Sequence, residues 1–259
     1  MTPRQPGAAS VERRARALAK PRRVAVLLRF FRTGPGQYGE GDRFLGLTLP
    51  DVRTLAADFR ELPLVELERL LESPWHELRA IALAILVQQY RRGNATHRVR
   101  LYRLYLRRAD RINNWDLVDM SAPQIVGAHL EARSREPLRR LAQSSDLWKR
   151  RIAIVATLHF IRRGEFGDTL AIVRLLLDDR DDLIHKAMGW MLREVGKRDE
   201  LRLRAFLDRH TAVMPRTTLR YAIERFSPAA RRRYMAIPRR AKPARARRPA
   251  RRGSHHNRA

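Results

Sequence analysis

The stretch Ser73-Pro74-Trp75-His76-Glu77-Leu78-Arg79 precedes a long apolar segment that ends at Arg91-Arg92-Gly93. The stretch Ser145-Asp146-Leu147-Trp148-Lys149-Arg150-Arg151 precedes a second one, which ends at Arg162-Arg163-Gly164. Their last Arg residues, at positions 79 and 151, lie 72 apart, twice 36. One such interval after Arg79 falls at Trp115, and two intervals later the pattern reaches the neighbourhood of Lys186. The sequence therefore contains a repeat of about 36 residues.

Each repeat carries apolar residues at helical spacing, as in the stripe Ile81, Leu83, Ala84, Leu86 and Val87. Convincing strands are absent, because no segment alternates apolar and polar residues for long. Stacked helix pairs of this length hide their apolar faces against neighbouring pairs. We therefore predict an all-α, HEAT-like helical repeat solenoid with a concave basic groove. A plain helical bundle with accidental internal similarity is the alternative.

The 259 residues are strongly basic, with 55 Lys and Arg against 27 Asp and Glu and a formal net charge of +28. This excess favours a polyanionic partner, with nucleic acid first and an anionic membrane second. A GC-rich coding sequence would explain Arg in place of Lys, but not the excess of basic over acidic residues. Because cysteine is absent, a disulfide scaffold, a thiol nucleophile, a thiolate zinc site and an iron–sulfur cluster are excluded.

The distribution of charge and proline suggests three parts. Residues 1–10 are expected to be frayed, and Val11 to Arg32 resembles one basic amphipathic helix. The solenoid is predicted over 11–228. Residues 229–259 hold twelve Arg and Lys, three Pro and no acid, which predicts a disordered Arg-rich tail. Without this segment 43 basic and 27 acidic residues remain, so the predicted solenoid is basic in its own right.

Several classes of enzyme lack support in the sequence. It contains no GxxxxGK[ST] or GxGxxG phosphate loop, no HExxH or comparable metal spacing, and no GxSxG elbow. We therefore expect neither a metal nor another cofactor. No apolar run is long enough to span a membrane, and no signal-peptide core is present, so we expect a location in the cytoplasm or nucleoid of a bacterium.

Two clusters of aromatic and charged residues stand out. In Asn113-Asn114-Trp115-Asp116-Leu117-Val118-Asp119, Asn113 suits a helix N-cap and Asp116 suits the first turn, whereas Trp115 and Asp119 share one helix face. A structural role for Trp115 in the core, with Asp119 reaching solvent or an Arg, is the alternative to a functional one.

In the second cluster, Lys186, Trp190 and Arg193 fall on one face, and Gly189 permits another group to approach closely. Trp148 and Arg151 share a face in the same way. Aromatic rings and cations on successive repeats suit a nucleic-acid backbone with an exposed sugar or base, although aromatic residues at helical spacing also occur in cores.

These motifs resemble a known family. Asn114-Trp115-Asp116-Leu117-Val118-Asp119 is similar to the Trp-Asp-x-Val-Asp motif of the AlkD-like DNA alkylation repair proteins. Lys186-Ala187-Met188-Gly189-Trp190-Met191-Leu192-Arg193-Glu194 is similar to that family's Lys-Ala-hydrophobic-Gly-Trp-x-Leu-Arg-Glu signature. Phe44-Leu45-Gly46-Leu47-Thr48-Leu49-Pro50 and the segment from Leu147 to Arg151 add support. The resemblance covers about residues 25–228.

The resemblance implies a HEAT-like-repeat DNA glycosylase that excises positively charged N-alkylated purines, such as 7-methylguanine and 3-methyladenine, from duplex DNA. It implies catalytic roles for Asp119, Trp115 and Trp190.

The resemblance also implies DNA contacts, and the residues expected to make them are Arg151, Arg193, Lys186, Thr48 and Trp148. It further implies capture of the lesion along a groove, without flipping of the base into a pocket. The sequence departs from the family pattern at Asn114, Asp182 and Thr48. These departures affect what can be inferred about the range of substrates and the affinity for DNA.

Two other functions remain open at this point. A non-catalytic HEAT-like nucleic-acid-binding or architectural protein could use the same basic groove, and a protein-scaffolding solenoid could carry the charge incidentally. Asp119 separates the first of these from a glycosylase, because a carboxylate in a phosphate-binding groove repels DNA unless chemistry needs it. In each case we expect a monomer.

Overall fold

The computed structural model describes residues 7–239, and within them the chain is helical with no β-strand. The predicted all-α class is confirmed. One isolated bridge joins Arg43 to Trp75. The α-helices are α1 Ala8–Ala17, α2 Pro21–Phe30, α3 Leu49–Asp58, α4 Leu64–Leu71, α5 His76–Arg92, α6 Ala95–Arg107, α7 Trp115–Ala122, α8 Ala128–Leu130, α9 Glu136–Ala142, α10 Leu147–Ala156, α11 Leu158–Ile161, α12 Gly167–Leu176, α13 Asp182–Gly196, α14 Glu200–His210, α15 Arg216–Ala222 and α16 Pro228–Ala236.

One row of helices runs through the molecule. In this row α3 packs on α5, α5 on α7, α7 on α10, α10 on α13 and α13 on α15. The last five helices of the row, α5, α7, α10, α13 and α15, start at residues 76, 115, 147, 182 and 216, at intervals of about 35 residues. The periodicity of the sequence therefore marks the row, as expected of a helical-repeat solenoid.

A second set of helices packs behind this row, with α4 against α5, α9 against α10, and α12 and α14 against α13. Each pair buries aliphatic side chains between its helices, and these form one continuous core from Val11 to Tyr234. Side-chain caps fix several helix starts, with Asn94 capping α6, Asp146 capping α10 and Asp199 capping α14.

The N-terminal region differs from the single helix expected over Val11 to Arg32. The chain leaves the helical path after Ala17 and starts a second helix at Pro21. Proline has no N–H to donate and disfavours helical geometry in the residue before it. Lys20 instead donates its backbone N–H to the Leu45 carbonyl at 2.9 Å.

The first and last helices extend beyond the predicted bounds of the solenoid, 11–228. Ala8 already begins α1, and its N–H donates to Glu66 Oε2 at 2.8 Å. At the other end α16 extends past residue 228, because Tyr234 is buried and its hydroxyl donates to Asp208 Oδ1 at 2.8 Å. The remainder of the predicted tail, 240–259, and residues 1–6 lie outside the described residues.

Candidate active site

The N-terminal turn of α7 supplies the central residues of the site. Asn114, not Asn113, is the N-cap, and its side-chain oxygen accepts the N–H of Trp115 at 2.8 Å. Asn114 is fully buried, and its amide also donates to Asp42 Oδ2 at 3.2 Å. One turn later Asp119 lies on the same face as Trp115, and both side chains are partly exposed.

Asp119 is held by Arg151 of the neighbouring helix α10. Arg151 donates from Nε to Oδ1 at 3.0 Å and from Nη2 to Oδ2 at 2.8 Å, so both carboxylate oxygens are engaged. Its Nη1 donates to the Leu183 carbonyl at 2.7 Å, which ties the pair to the start of α13. Arg151 is buried, with 5% of its surface exposed. Its donors therefore orient Asp119 and the start of α13. Contact of Arg151 with a DNA phosphate stays a prediction.

The electrostatic environment of Asp119 contains opposing effects. Burial raises the pKa of the Asp119 carboxyl, Arg151 works against this rise, and the nearby carboxylate of Asp116 adds to it. The bidentate pair with a guanidinium favours the ionised form. Asp119 is thus a desolvated carboxylate that combines negative charge with an increased affinity for a proton.

A cavity of about 540 Å³ lies between α7, α10 and α13, and we call it the basic cavity. Trp115 and Trp190 both line it, as the sequence predicted for the two indoles of one site. Its cationic lining residues are Arg32, Arg151, Lys186 and Arg193, and its other lining residues include Phe30, Tyr38, Asp182 and Leu183.

Besides Arg151, which holds Asp119, two of these cations already have acidic partners. Lys186 Nζ lies 2.8 Å from Asp182 Oδ2, and the two side chains are 42% and 57% exposed. Arg193 pairs with Glu224, whose side chain is about half exposed. An ion pair as exposed as Lys186–Asp182 contributes little to stability, so Lys186 can exchange this partner for another anion at small energetic cost.

A second cavity, of about 430 Å³, lies on the other side of Trp115 and Phe30, and we call it the aromatic cavity. The structure therefore contains a pocket beside Asp119, although the sequence suggested none. The residues that line it are Arg23, Leu27, Phe30, Phe31, Phe44, Leu47, Thr48, Leu49, Val52, His76, Glu77, Ala80, Trp115, Asp116, Asp119 and Met120.

A buried chain of charged groups lies at the base of the aromatic cavity, and spacing along the sequence did not reveal it. His76 Nδ1 is 3.1 Å from Asp42 Oδ2, and His76 Nε2 is 2.8 Å from Asp116 Oδ2. Arg79, which is also buried, donates to Asp42 Oδ1 at 2.5 Å. Burial alone would lower the pKa of His76, but Asp116 and Asp42 outweigh it and raise the pKa to about 9. His76 is therefore an imidazolium at neutral pH.

One wall of the aromatic cavity is built around Glu77, which is buried. Its carboxylate accepts the backbone N–H groups of Leu45, Gly46 and Leu47 at 2.8 to 3.2 Å. Gly46 has φ +86°, and a Cβ there would lie 2.2 Å from the Lys20 carbonyl oxygen, so only glycine fits. The motif that begins at Phe44 thus serves to fold the chain around Glu77.

Thr48 and Trp148, two of the predicted DNA contacts, have structural roles in the fold. Thr48 caps α3 in a capping box with Asp51, in which its hydroxyl donates to Asp51 Oδ2 at 2.6 Å, although Thr48 also lines the aromatic cavity. Trp148 is only 8% exposed and packs edge-on against Tyr38 at 6.0 Å between ring centroids. Most of the Trp148 ring is therefore covered by protein, and its contact with DNA stays a prediction.

Among residues 7–239 no three His, Asp or Glu side chains come together as potential metal ligands. No helix in the same range is long and apolar enough to cross a membrane.

Comparison with known proteins gives a consistent result. The model of the family described as "DNA alkylation repair enzyme" matches residues 11–226. A comparison with curated proteins found no match. Among solved structures, a predicted DNA alkylation repair enzyme from Enterococcus faecalis is similar, with a TM-score of 0.62 and 15% identity over 81% of this chain and 97% of that chain. At this identity the likeness concerns the fold. Because the family model spans most of the sequence, this chain belongs to the family of DNA alkylation repair enzymes.

Proposed function

We propose that this protein is a monofunctional DNA glycosylase that excises positively charged N-alkylated purines, such as 7-methylguanine and 3-methyladenine, from duplex DNA. The observation that carries the proposal is the position of Asp119. Its carboxylate is fixed by Arg151, lies on the same helix face as Trp115 and borders the aromatic cavity, while Arg151 and Trp115 border the basic cavity.

The chemistry suits a purine that carries an alkyl group at N7 or N3. Such a base is already cationic, so the electron pair of the breaking C1′–N9 bond neutralises it and it leaves without prior protonation. The positive charge moves to the deoxyribose, which becomes an oxocarbenium ion. An enzyme accelerates this step by providing negative charge where the cation develops.

Asp119 provides that charge, and the faces of Trp115 and Trp190 favour the cationic sugar by about 0.5–2 kcal/mol each. Water then adds to C1′, and its proton passes to Asp119, whose pKa is raised by burial. The products are the free base and an abasic site in an uncut strand. Neutral lesions are poor substrates in this scheme, because it provides no acid for the departing base.

The test is incubation of the protein with duplex DNA that contains 7-methylguanine, followed by chromatography of the released bases. We expect free 7-methylguanine and abasic sites in intact strands. No release at any excess of protein would contradict the glycosylase assignment, and direct strand cleavage would contradict the monofunctional one.

A second candidate function is a non-catalytic DNA-binding protein, and one observation favours it. The Asp119–Arg151 pair also joins α7 to α10, as an ordinary structural ion pair would. In that case Asp119→Asn should leave DNA binding intact or tighter, and the wild-type protein should release no base.

A further inference from the structure

The residue that follows α2 and its last turn has an unusual backbone conformation. Arg32 has φ +49°, and among residues 7–239 it is the one residue other than glycine with a positive φ. The other positive values belong to Gly36, Gly41, Gly46 and Gly164. In this left-handed region the Cβ of an L-residue lies too close to the following carbonyl oxygen. An arginine therefore occupies a place that suits glycine.

Hydrogen bonds at the end of α2 explain the backbone conformation of Arg32. The N–H of Thr33 donates to the Leu28 carbonyl at 3.1 Å, and the N–H of Arg32 donates to the Arg29 carbonyl at 3.3 Å. These two bonds form the Schellman motif that ends many helices, and its left-handed residue is usually glycine. The motif thus accounts for the conformation at position 32, but it does not account for an arginine side chain there.

The backbone is held on both sides of Arg32. Phe31 is 7% exposed, and it stacks on Trp115 with ring centroids 5.6 Å apart. The carbonyl of Arg32 accepts the N–H of Gly39 at 3.1 Å, and a Cβ on Gly39 would lie 2.4 Å from the Phe31 carbonyl oxygen. The Arg32 side chain therefore extends from a fixed turn that is packed against one of the two tryptophans of the site.

No partner within the fold explains the side chain of Arg32. It is exposed and lines the basic cavity. The other cations that line this cavity have acidic partners, and the pairs are Arg151–Asp119, Lys186–Asp182 and Arg193–Glu224. Within residues 7–239 neither an acidic group nor an aromatic ring contacts the Arg32 guanidinium. Arg32 thus brings to the cavity a positive charge that this part of the chain leaves unpaired.

We propose that Arg32 binds a phosphate group of the DNA strand that occupies the basic cavity. A guanidinium is always charged, and its planar set of N–H donors matches two oxygens of one phosphodiester. Because the turn is fixed, little further order is lost when the contact forms. The unfavourable backbone conformation then serves binding instead of stability. The proposal rests on the glycosylase function proposed above and adds a DNA contact from the segment between α2 and α3.

The first experiment compares Arg32→Gly with the wild type in stability and in DNA affinity. Glycine relieves the unfavourable conformation, so the midpoint of thermal unfolding should rise by about 2–4 °C. The DNA probe is a duplex with a tetrahydrofuran abasic-site analogue, which has the phosphates of a lesion site but no base to release. Its affinity, measured by fluorescence anisotropy, should fall about tenfold. The dependence of log affinity on log salt should become less steep by about 0.9.

Two further variants separate the charge from the backbone conformation. Arg32→Ala removes the charge but keeps a Cβ in the left-handed region, so it should lose the same affinity without a gain in thermal stability. Arg100→Ala removes an equal charge from an exposed position of α6 that lines neither the basic nor the aromatic cavity. This control should weaken binding by less than about twofold.

Two results would overturn the proposal. The first is an affinity and a salt dependence that are the same for the Arg32 variants and for Arg100→Ala. The second is a lower thermal midpoint for Arg32→Gly than for the wild type, because a loss of affinity would then reflect a damaged turn and not a lost phosphate contact.

This proposal and the glycosylase function fail separately. Arg32→Gly should release 7-methylguanine at nearly the wild-type rate at saturating protein, and more slowly at low protein, because Asp119 and the two tryptophans are unchanged. If the wild-type protein releases no base, the glycosylase function is wrong, and the binding comparison still tests Arg32. If it releases the base while the Arg32 variants bind DNA as tightly as the wild type, only the role of Arg32 is wrong.

Discussion

At the scale of single residues, His76 is the feature with the clearest physical consequence. Its ring contacts both Phe31 and Phe44, with centroids 4.8 Å from each, and both ring nitrogens face carboxylates. This arrangement holds Asp116 at the base of the aromatic cavity. A positive imidazolium between Asp42 and Asp116 thus stabilises the fold around the site.

The raised pKa of His76 makes stability depend on pH. Its ordinary value is 6.5 and its value in the fold is about 9, so the stabilisation is complete below about pH 6.5 and is lost as pH rises through 9. We expect the free energy of unfolding to fall by up to about 3 kcal/mol across this range.

Urea titrations of wild type and His76→Gln at a series of pH values measure this effect. The variant should lack the His76 contribution, so the difference between the two proteins should shrink as pH rises. A difference that stays constant from pH 6.5 to beyond 9 would show that His76 is not charged in the fold.

The sequence predicted part of this site and missed the rest for a definite reason. Trp115 and Asp119 were identified because helical spacing places i and i+4 on one face. Asp42, His76 and Asp116 come from three different segments, 34 and 40 residues apart in sequence. A pattern among neighbouring residues does not show that side chains so far apart in sequence are in contact. The position of His76 in the repeated helix start was the available signal, whereas Asp116 was assigned only a role in the first turn of its helix.

At the scale of helices, the row from α5 to α15 depends on close approach between neighbours. Gly189 shows this directly, since a Cβ there would lie 2.4 Å from Tyr221 Cβ and 2.7 Å from the Thr218 carbonyl oxygen. The sequence correctly indicated that Gly189 admits a close neighbour, and that neighbour is α15. The adjacent Trp190 is thereby fixed at the edge of the basic cavity.

Gly189→Ala should therefore destabilise the protein by about 1–3 kcal/mol, because α13 and α15 must separate. Gly167→Ala is the matched control, since a Cβ at this position in α12 meets nothing within 4 Å. Thermal or urea unfolding measures both, and the control should be neutral or slightly stabilising. Equal stability of the two variants would contradict the packing described for α13 and α15.

Helix boundaries were the least predictable feature at this scale. The charge pattern of α1 and α2 continues across Pro21, so amphipathicity alone suggested one helix. The Arg-rich composition of α16 indicates a disordered tail, yet one buried aromatic residue, Tyr234, anchors this helix. The row of repeats was easier to predict, because its signal recurs through the chain.

At the scale of the whole molecule, the net charge of +28 favours association of the protein with DNA. Residues 240–259 contribute eight Arg and Lys and no acid, and all the site residues lie before them. We propose that this segment adds non-specific affinity for DNA, in line with the sequence-based expectation of an auxiliary basic tail.

Truncation after Arg239 should reduce the dependence of DNA affinity on salt, by up to about 0.9 log unit per log unit of salt for each lost phosphate contact. Truncation at this point retains α16. Single-turnover excision at saturating protein should remain close to the wild-type rate. Loss of excision under these conditions would show that the segment belongs to the active site.

The central claim is that Asp119 stabilises a sugar that becomes cationic. The most direct measurement is the single-turnover release of 7-methylguanine by Asp119→Asn, compared with wild type and with Asp110→Asn, which removes the same charge from an exposed carboxylate. We predict at least an order-of-magnitude slower release by Asp119→Asn, with DNA affinity equal or higher, and an unchanged rate for Asp110→Asn. Release by Asp119→Asn at the wild-type rate would contradict the account.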